Sequence, residues 1–157
     1  MAMTTLKEGM PAPAFQGIDQ NGETVSLDQF KGKKVVLYFY PKDNTPGCTA
    51  EACNLRDNFE QFQQQGFEII GVSPDSEKSH QNFIAKHELP FRLLSDPGKE
   101  ILKAYGAWGE KKMYGKTYEG VLRSTFIIDE EGNIEKIFKK VQTKDHTNQI
   151  FTELNIN

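Results

Sequence analysis

The sequence predicts an α/β fold in which a mixed central sheet is flanked by helices. Two observations lead to this prediction. In the first two thirds of the chain, short apolar runs rich in β-branched and aromatic residues alternate with stretches whose apolar residues recur every three or four positions. This is the pattern of strands connected by helices. Later, two apolar runs are separated by a few polar residues and a glycine, which is typical of an antiparallel hairpin.

Each predicted element has its own local signal. The elements, in chain order, are a hairpin at 15–18 and 24–27, a strand at 35–40, a helix at 45–65, a strand at 67–72, a helix at 76–87, a short strand at 93–94, a short helix at 98–105, a hairpin at 124–128 and 134–138, and a closing helix at 145–154. Asn21-Gly22 marks the first turn. Ser76 is a suitable N-cap for the second helix. The thioredoxin-like fold has this layout, although other α/β folds fit the pattern as well.

Composition limits the class of protein. The 157 residues are enough for one domain, and without repeats or linker-like stretches we expect a single domain over residues 1–157. The formal net charge is −3, which argues against a nucleic-acid partner. The basic runs at 31–34 and 111–112 are interpreted as solvated turns. The longest apolar run, at 35–40, is too short to span a bilayer, and residues 1–9 lack the pattern of a secretory signal. We therefore expect a cytoplasmic protein with no membrane partner.

Two cysteines, Cys48 and Cys53, carry the distinctive chemistry. A polar loop follows the strand that ends near Pro41, and a helix is predicted to begin at Thr45 as N-cap with Pro46 in the first helical position. Cys48 would then lie in the first turn. The unpaired amides and the positive end of the helix dipole there favour a thiolate, the nucleophilic form of cysteine.

Plainer interpretations exist for both cysteines. A lone cysteine is most often a small buried apolar residue, and Cys53 could fill such a place in the helix. A metal site is the weaker alternative, because His80, His87 and His146 are scattered singly and no second closely spaced ligand pair accompanies the cysteines.

The segment around Cys48 resembles the active site of peroxiredoxins. Pro41, Thr45 and Cys48 have the spacing of the family motif, and Arg123 precedes a downstream apolar strand. The longer string Tyr-Pro-Lys-Asp-Asn-Thr-Pro-Gly-Cys-Thr-Ala-Glu-Ala-Cys, with later segments at 71–76, 94–96 and 123–129, is similar to the bacterioferritin comigratory protein branch, also called the Q type. The resemblance covers nearly the whole chain in order.

This resemblance implies a role for each motif residue. Cys48 would attack the peroxide, Thr45 would hold the peroxide and the sulfur through its hydroxyl, Pro41 would shield the thiolate from water, and Arg123 would supply positive charge. From the residues alone, Thr45 could merely cap the helix, Pro41 could merely end the strand and Arg123 could form a surface ion pair. No metal, haem or flavin is needed for the implied chemistry.

The resemblance also implies that Cys53 resolves the Cys48 sulfenate in an intramolecular disulfide, which thioredoxin or a similar dithiol protein then reduces. The expected enzyme is a peroxidase for hydrogen peroxide and organic hydroperoxides, and a monomer because both cysteines lie in one segment. Five residues of intact helix separate two Cα atoms by roughly 8.6 Å, whereas a disulfide tolerates at most about 7 Å. The helix must therefore unwind for this bond. A general thiol–disulfide oxidoreductase is disfavoured because C-x-x-C is absent, and a redox sensor whose cysteines only report oxidant is the rival from another class.

Overall fold

A computed structural model describes residues 5–156 of the chain and contains a seven-stranded mixed sheet over that range. The predicted lack of a secretory signal over residues 1–9 lies partly outside the described residues. None of the helices in the described part has the length and apolar character that a bilayer span requires.

The sheet combines parallel and antiparallel strands. The strands are β1 Gln16–Asp19, β2 Thr24–Ser26, β3 Lys34–Phe39, β4 Phe67–Ser73, β5 Arg92–Ser95, β6 Trp108–Met113, β7 Lys116–Val121, β8 Ser124–Ile128 and β9 Ile134–Phe138. The main sheet has the order β2-β1-β5-β4-β3-β8-β9. β3, β4 and β5 run parallel to one another, whereas β1 and β8 join them in antiparallel pairs.

Helices cover both faces of this sheet. They are α1 Pro46–Asp57, α2 Phe59–Gln64, α3 Glu77–His87, α4 Glu100–Ala104 and α5 His146–Glu153, with a 3₁₀ helix at Leu27–Phe30. Buried residues of α1, α2, α3 and α5 share one apolar cluster, and those of α4 and the 3₁₀ helix share the other. This arrangement confirms the predicted mixed sheet flanked by helices.

The single helix predicted at 45–65 is wrong in one respect, because it is interrupted at Asn58. The backbone of Asn58 leaves the helical region at φ −114 and ψ 14, and its side-chain amide donates to the carbonyl of Asn54 at 2.8 Å. Asparagine side chains compete in this way with the helical hydrogen bonds of the backbone. The chain therefore forms α1 and α2 in place of one helix, and Gly66 ends the second as predicted, at φ +81.

The hairpin of β6 and β7 was not predicted. Its strands are mostly exposed and lack the apolar alternation that marks a half-buried strand. Its turn is formed by Tyr114 and Gly115, both with positive φ, rather than by the common Asn-Gly pair. The interpretation of residues 111–112 as a solvated turn is therefore wrong, since both lysines lie in β6.

The register of β3 brings distant residues of the motif together. Phe39, the last residue of β3, is paired with Ser124, the first residue of β8. Arg123 immediately precedes Ser124, and the loop to α1 begins just after Phe39, so both reach the same edge of the sheet. Because β3 is buried on both faces, as its continuous apolar run predicts, this edge is held by the core.

Gly71 in β4 allows the ring of Tyr38 in β3 to pack against the sheet. A Cβ atom at this position would lie 2.7 Å from Leu93 Cδ2 and 2.8 Å from Tyr38 Cζ. We expect Gly71→Ala to lower the free energy of unfolding by about 1–3 kcal/mol, because extra volume in a packed core forces side chains from their rotamers. Urea unfolding measures the loss.

Gly98→Ala is the matched control for this prediction. A Cβ atom at Gly98 would approach nothing closer than 3.5 Å, and Gly98 is exposed. Its free energy of unfolding should match that of the wild-type protein. Equal stability of the Gly71 and Gly98 variants would contradict the packing argument.

Candidate active site

Cys48 lies where the sequence predicts it, in the first turn of α1. Pro46 is the first residue of this helix, and the Thr49 amide makes the first helical bond, to the carbonyl of Thr45 at 2.8 Å. The side chain of Cys48 is 1% exposed and packs in the apolar cluster beneath α1. The cysteine is thus buried, as in the plainer interpretation, but its sulfur faces a charged group.

That charged group is the guanidinium of Arg123. Nη2 of Arg123 donates to Cys48 Sγ at 3.2 Å, and Nη1 donates to Glu51 Oε1 at 2.7 Å. The side chain is 23% exposed, so the contact is not the surface ion pair that was the alternative. Gly47 makes room for it, since a Cβ atom there would lie 3.3 Å from Nη2. A cation held at this distance in a partly desolvated site stabilises a thiolate.

Glu51 orients Arg123 from below. Its carboxylate is fully buried, and burial raises its pKa to about 7 although Arg123 opposes the rise. The second oxygen, Oε2, lies 3.7 Å from Nε2 of His146, too far for a hydrogen bond. Among the described residues Oε2 has no hydrogen-bond partner. Glu51 therefore directs one oxygen at Arg123 and leaves the other buried without a donor.

His146 is neutral in this arrangement. Nδ1 faces Gln149 Oε1 at 2.9 Å and Nε2 faces Thr125 Oγ1 at 2.8 Å. Burial, together with the positive charge of Arg123, lowers the pKa of His146 to about 4. The amide oxygen can only accept, so Nδ1 carries the proton and Nε2 accepts from the Thr125 hydroxyl. The contact between His146 and Glu51 is thus not an ion pair at neutral pH.

A second buried network fixes the loop between β3 and α1. Asp43 accepts hydrogen bonds from Tyr40 Oη at 2.6 Å and Ser79 Oγ at 2.8 Å, and its Oδ2 lies 2.7 Å from His80 Nδ1. Nε2 of His80 faces the carbonyl of Leu94 at 3.1 Å. Although burial opposes it, the bonds from His80 and Tyr40 lower the pKa of Asp43. Both nitrogens of His80 face oxygen atoms, so the ring links Asp43 to the carbonyl of Leu94 in β5.

This network also has the spacing of a metal site. Asp43, Asp75 and His80 bring ligand atoms within 4.8 Å of one another. Those atoms are already engaged, because Asp75 Oδ2 accepts from the Asp43 amide at 2.8 Å and from Ser73 Oγ at 2.7 Å. The donor set is therefore satisfied by protein groups, and we assign it to anchoring the loop.

Thr45 and Pro41 lie in the loop between β3 and α1, which leads to Cys48. Thr45 has the N-cap position of α1, but its hydroxyl makes no capping bond and instead donates to the carbonyl of Lys42 at 2.8 Å. Thr45 is thus the N-cap residue, as predicted, whereas the alternative in which its hydroxyl only caps the helix is wrong, since the hydroxyl bonds back to the loop. Pro41 follows Tyr40 directly after β3 and is half-buried. Their roles toward peroxide stay predictions.

Cys53 is further along α1 and is not part of the core. It is half-buried, and its Sγ lies 3.8 Å from Nδ1 of His87. Both cysteines are free thiols in the structure. Because α1 includes both of them, the geometric limit on a disulfide within an intact helix applies here.

Glu51 is the functional side chain that the sequence prediction missed. Cys48, Glu51, Ala52 and Leu55 have the spacing of one helix face, and all four are buried. A glutamate in such a stripe needs a buried partner, so the pattern itself could have indicated an interaction with Arg123. His146 and the Asp43 network carry no comparable local signal, because Thr125 is distant in sequence from His146, and Ser79 and His80 are distant from Asp43.

Comparisons with known proteins agree with this geometry. The sequence profile of the AhpC/TSA family matches residues 9–137. The chain is 51% identical to peroxiredoxin Bcp of Bacillus subtilis over 142 residues, which cover 90% of each chain. The solved structure of Xanthomonas campestris peroxiredoxin Q has a TM-score of 0.87 at 36% identity, covering 98% of both chains. Another, also at 0.87 and 36% and covering 97% of both, concerns the alkyl peroxide reduction activity of the Xanthomonas campestris bacterioferritin comigratory protein.

Replacing Glu51 with Gln should change how stability depends on pH. With its pKa raised by burial from 4.5 to about 7, Glu51 holds a proton in the folded protein that the unfolded chain has released between these values. Its contribution to the free energy of unfolding is therefore fully present at low pH and is lost as pH rises through this window. Relative to wild type, Glu51→Gln should gain up to about 3 kcal/mol from about pH 4.5 to about pH 7.

Urea unfolding across this range measures the difference. His146, whose lowered pKa acts in the opposite direction, is present in both proteins and cancels to first order. Glu68→Gln is the control, because Glu68 forms an exposed ion pair with Lys33 at 3.1 Å. Parallel pH profiles for wild type and Glu51→Gln would contradict the assignment of a carboxyl whose pKa is raised by burial.

Proposed function

Because the chain belongs to the AhpC/TSA family, we propose that Cys48 is the residue with which this thiol-dependent peroxidase attacks its substrate. The relatives that match over nearly the whole chain are peroxiredoxins, and the chain is accordingly an enzyme that reduces peroxides at the expense of thiols. The observation that carries the assignment is the bond between Arg123 Nη2 and Cys48 Sγ in the first turn of α1.

The reaction is a nucleophilic displacement at oxygen. The Cys48 thiolate attacks one oxygen of the peroxide, the O–O bond breaks, and hydroxide or alkoxide leaves while Cys48 becomes a sulfenic acid. Negative charge moves from the sulfur to the leaving oxygen. Arg123 already donates to the sulfur, and Cys48 lies in the first turn of α1, where the amides have no partner within the helix. These donors can therefore stabilise the moving charge with little rearrangement.

Thr45 and Pro41 complete the proposed site. The Thr45 hydroxyl donates a hydrogen bond to the backbone carbonyl of Lys42. Its oxygen can therefore still accept a hydrogen bond from the peroxide. Pro41 has no amide proton and lies half-buried at the end of β3, where it would cover the sulfur from water.

Cys53 is the proposed resolving residue. A sulfenic acid condenses readily with a nearby thiol, and Cys53 lies on the same helix with its sulfur partly accessible. The resulting Cys48–Cys53 disulfide would be reduced by thioredoxin or a similar dithiol protein. Hydrogen peroxide and organic hydroperoxides are the proposed substrates.

We further propose a cytoplasmic monomer that acts as one domain over residues 1–157 and binds neither nucleic acid nor membrane. Disulfides that open and close in each cycle belong to compartments where dithiol proteins keep thiols reduced. Both reacting cysteines lie in one segment of one chain, so the chemistry needs no second copy. The net charge of −3 offers no electrostatic attraction to phosphate.

Replacing each cysteine by serine separates the two chemical steps. Cys48→Ser should abolish peroxide consumption, because an unactivated serine hydroxyl is a poor nucleophile at neutral pH. Cys53→Ser should retain the first turnover and accumulate a Cys48 sulfenate, with turnover by thioredoxin and its reductase strongly reduced. Intact-protein mass and a coupled peroxidase assay measure both, and substantial turnover in Cys48→Ser would refute the assignment.

Replacing Arg123 with Ala should slow the reaction with peroxide by about 10²-fold or more, the scale of losing one donor to a developing oxyanion. The same variant should contain less Cys48 thiolate at neutral pH, which ultraviolet absorbance reports. Arg92→Ala is the control, since its side chain is 40% exposed and lies only loosely beside Asp19, at 4.0 Å. Equal rates in the two variants would mean that Arg123 forms only a structural ion pair and does not assist the reaction with peroxide.

Oxidation should unwind the start of α1. Closing the disulfide requires the loss of several helical hydrogen bonds, each worth only about 1 kcal/mol net, so the covalent bond can drive the change. Hydrogen exchange should be faster over residues 49–55 in the disulfide form than in the thiol form, while residues 35–39 of β3 stay protected. Equal protection of α1 in both forms, with the disulfide confirmed by mass, would contradict the geometric argument.

A further inference from the structure

The sulfur of Cys53 faces a histidine. Nδ1 of His87, the last residue of α3, lies 3.8 Å from Cys53 Sγ, a distance compatible with a weak hydrogen bond to sulfur. The ring packs edge-on against Phe83 of the same helix, with centroids 5.2 Å apart. The backbone of His87 is held as well, because Arg56 Nη1 donates to its carbonyl at 2.7 Å. Phe83 thus packs against the ring, and the bond from Arg56 holds the backbone that carries it.

Burial and nearby positive charge favour the neutral form of this ring. Partial burial is the largest influence, and Lys86 and Arg56 add positive charge, so all three lower the pKa of His87. The nearby acids face Arg56 instead: Asp57 Oδ1 lies 2.8 Å from its Nη2, and Glu88 interacts with the same guanidinium. At neutral pH the imidazole therefore has a free lone pair.

The two cysteines are in unlike surroundings. Cys48 has the guanidinium of Arg123 against its sulfur, which stabilises a thiolate continuously. Cys53 has an imidazole against its sulfur, which can accept a proton when the thiol ionises. Since only a thiolate attacks a sulfenic sulfur efficiently, Cys53 needs such an acceptor.

We propose that His87 is the general base of the resolving step, taking the proton of Cys53 so that its thiolate can attack the sulfenic sulfur of Cys48. This inference rests on the proposed role of Cys53. It adds to the site a residue of α3, which carries neither cysteine.

The step is balanced as follows. The Cys53 S–H bond breaks and its proton moves to Nδ1 of His87. The thiolate forms the S–S bond with Cys48 as the S–O bond of the sulfenic acid breaks. The released hydroxide takes up one proton from the solvent and leaves as water, and the imidazolium returns its proton to the solvent. The Cys53 sulfur is oxidised and the Cys48 sulfur is reduced, so no further oxidant is required.

Proton transfer must precede unwinding. The contact between Cys53 and His87 exists in the folded helix, whereas the disulfide forms only after the helix opens. A thiolate formed against His87 would then be carried to Cys48. The same contact could instead act only as a clamp that holds Cys53 in the helix. The two roles predict opposite effects, because losing a clamp accelerates resolution and losing a base slows it.

Rapid mixing of the reduced protein with one equivalent of hydrogen peroxide separates the steps. Quenching with a thiol-alkylating reagent and measuring intact mass gives the rates of sulfenate and disulfide formation. In His87→Asn, sulfenate formation should match wild type, while disulfide formation at neutral pH should slow by about tenfold or more. The deficit should close above about pH 9, where an unassisted thiol ionises in water. Added imidazole should restore part of the rate.

Lys78→Gln is the matched control, since it alters an exposed lysine at the other end of α3 and leaves the imidazole and its charged neighbours in place. It should resolve like wild type. Disulfide formation in His87→Asn that equals or exceeds the wild-type rate overturns the proposal, and circular dichroism verifies that the variant is folded. Failure of the underlying function is distinguishable: if Cys53→Ser consumed peroxide with thioredoxin at the wild-type rate, Cys53 would not be the resolving residue, whatever His87 does.

Discussion

The structure of the site depends on one guanidinium that is shared between a sulfur and a buried carboxylate. Arg123 reaches both Cys48 and Glu51, and each part of the fold nearby serves this placement. The pairing of β3 with β8 fixes the position of Ser124, the residue after Arg123, and Gly47 leaves space for the guanidinium. Because the donors of a planar guanidinium have a fixed geometry, the bond from Nη1 to Glu51 Oε1 helps to determine where the remaining N–H groups of Arg123 point. The sulfur thus faces a donor that is already oriented.

Rigidity is distributed unevenly around Cys48. The loop before it is anchored by the buried network of Asp43 and His80. Helix α1, whose first turn contains Cys48, begins without a side-chain cap, because the hydroxyl of Thr45 bonds back to the loop. An uncapped helix start is worth about 1 kcal/mol less than a capped one. The loop before Cys48 is therefore anchored, whereas the first turn of α1 lacks the stabilisation of a side-chain cap. This is the turn that a disulfide with Cys53 would have to open.

The sequence was sufficient for the features that depend on local pattern. Apolar runs located the strands of the central sheet, and Ser76 caps α3 through its bond with Ser79 as predicted. The exposed hairpin of β6 and β7 was not predicted, because it buries few side chains and so shows no alternation of apolar and polar residues. The break at Asn58 was not predicted, because it depends on a side-chain hydrogen bond that competes with the helical bonds of the backbone. The partner of Glu51 was not predicted, because Arg123 is distant from it in sequence. Cys48 and Arg123 could be paired only through the family motif.

The two sulfurs differ in a way that suits both directions of a redox cycle. A stabilised thiolate is a good leaving group in thiol–disulfide exchange. The contact with Arg123 that would favour the Cys48 thiolate in the proposed attack on peroxide would therefore also favour its release if a dithiol protein attacked the proposed disulfide at Cys53. Cys53 is half-buried where Cys48 is buried, and it has the imidazole of His87 against its sulfur, with the guanidinium of Arg56 nearby. One helix can thus carry both cysteines because their environments assign them different tasks.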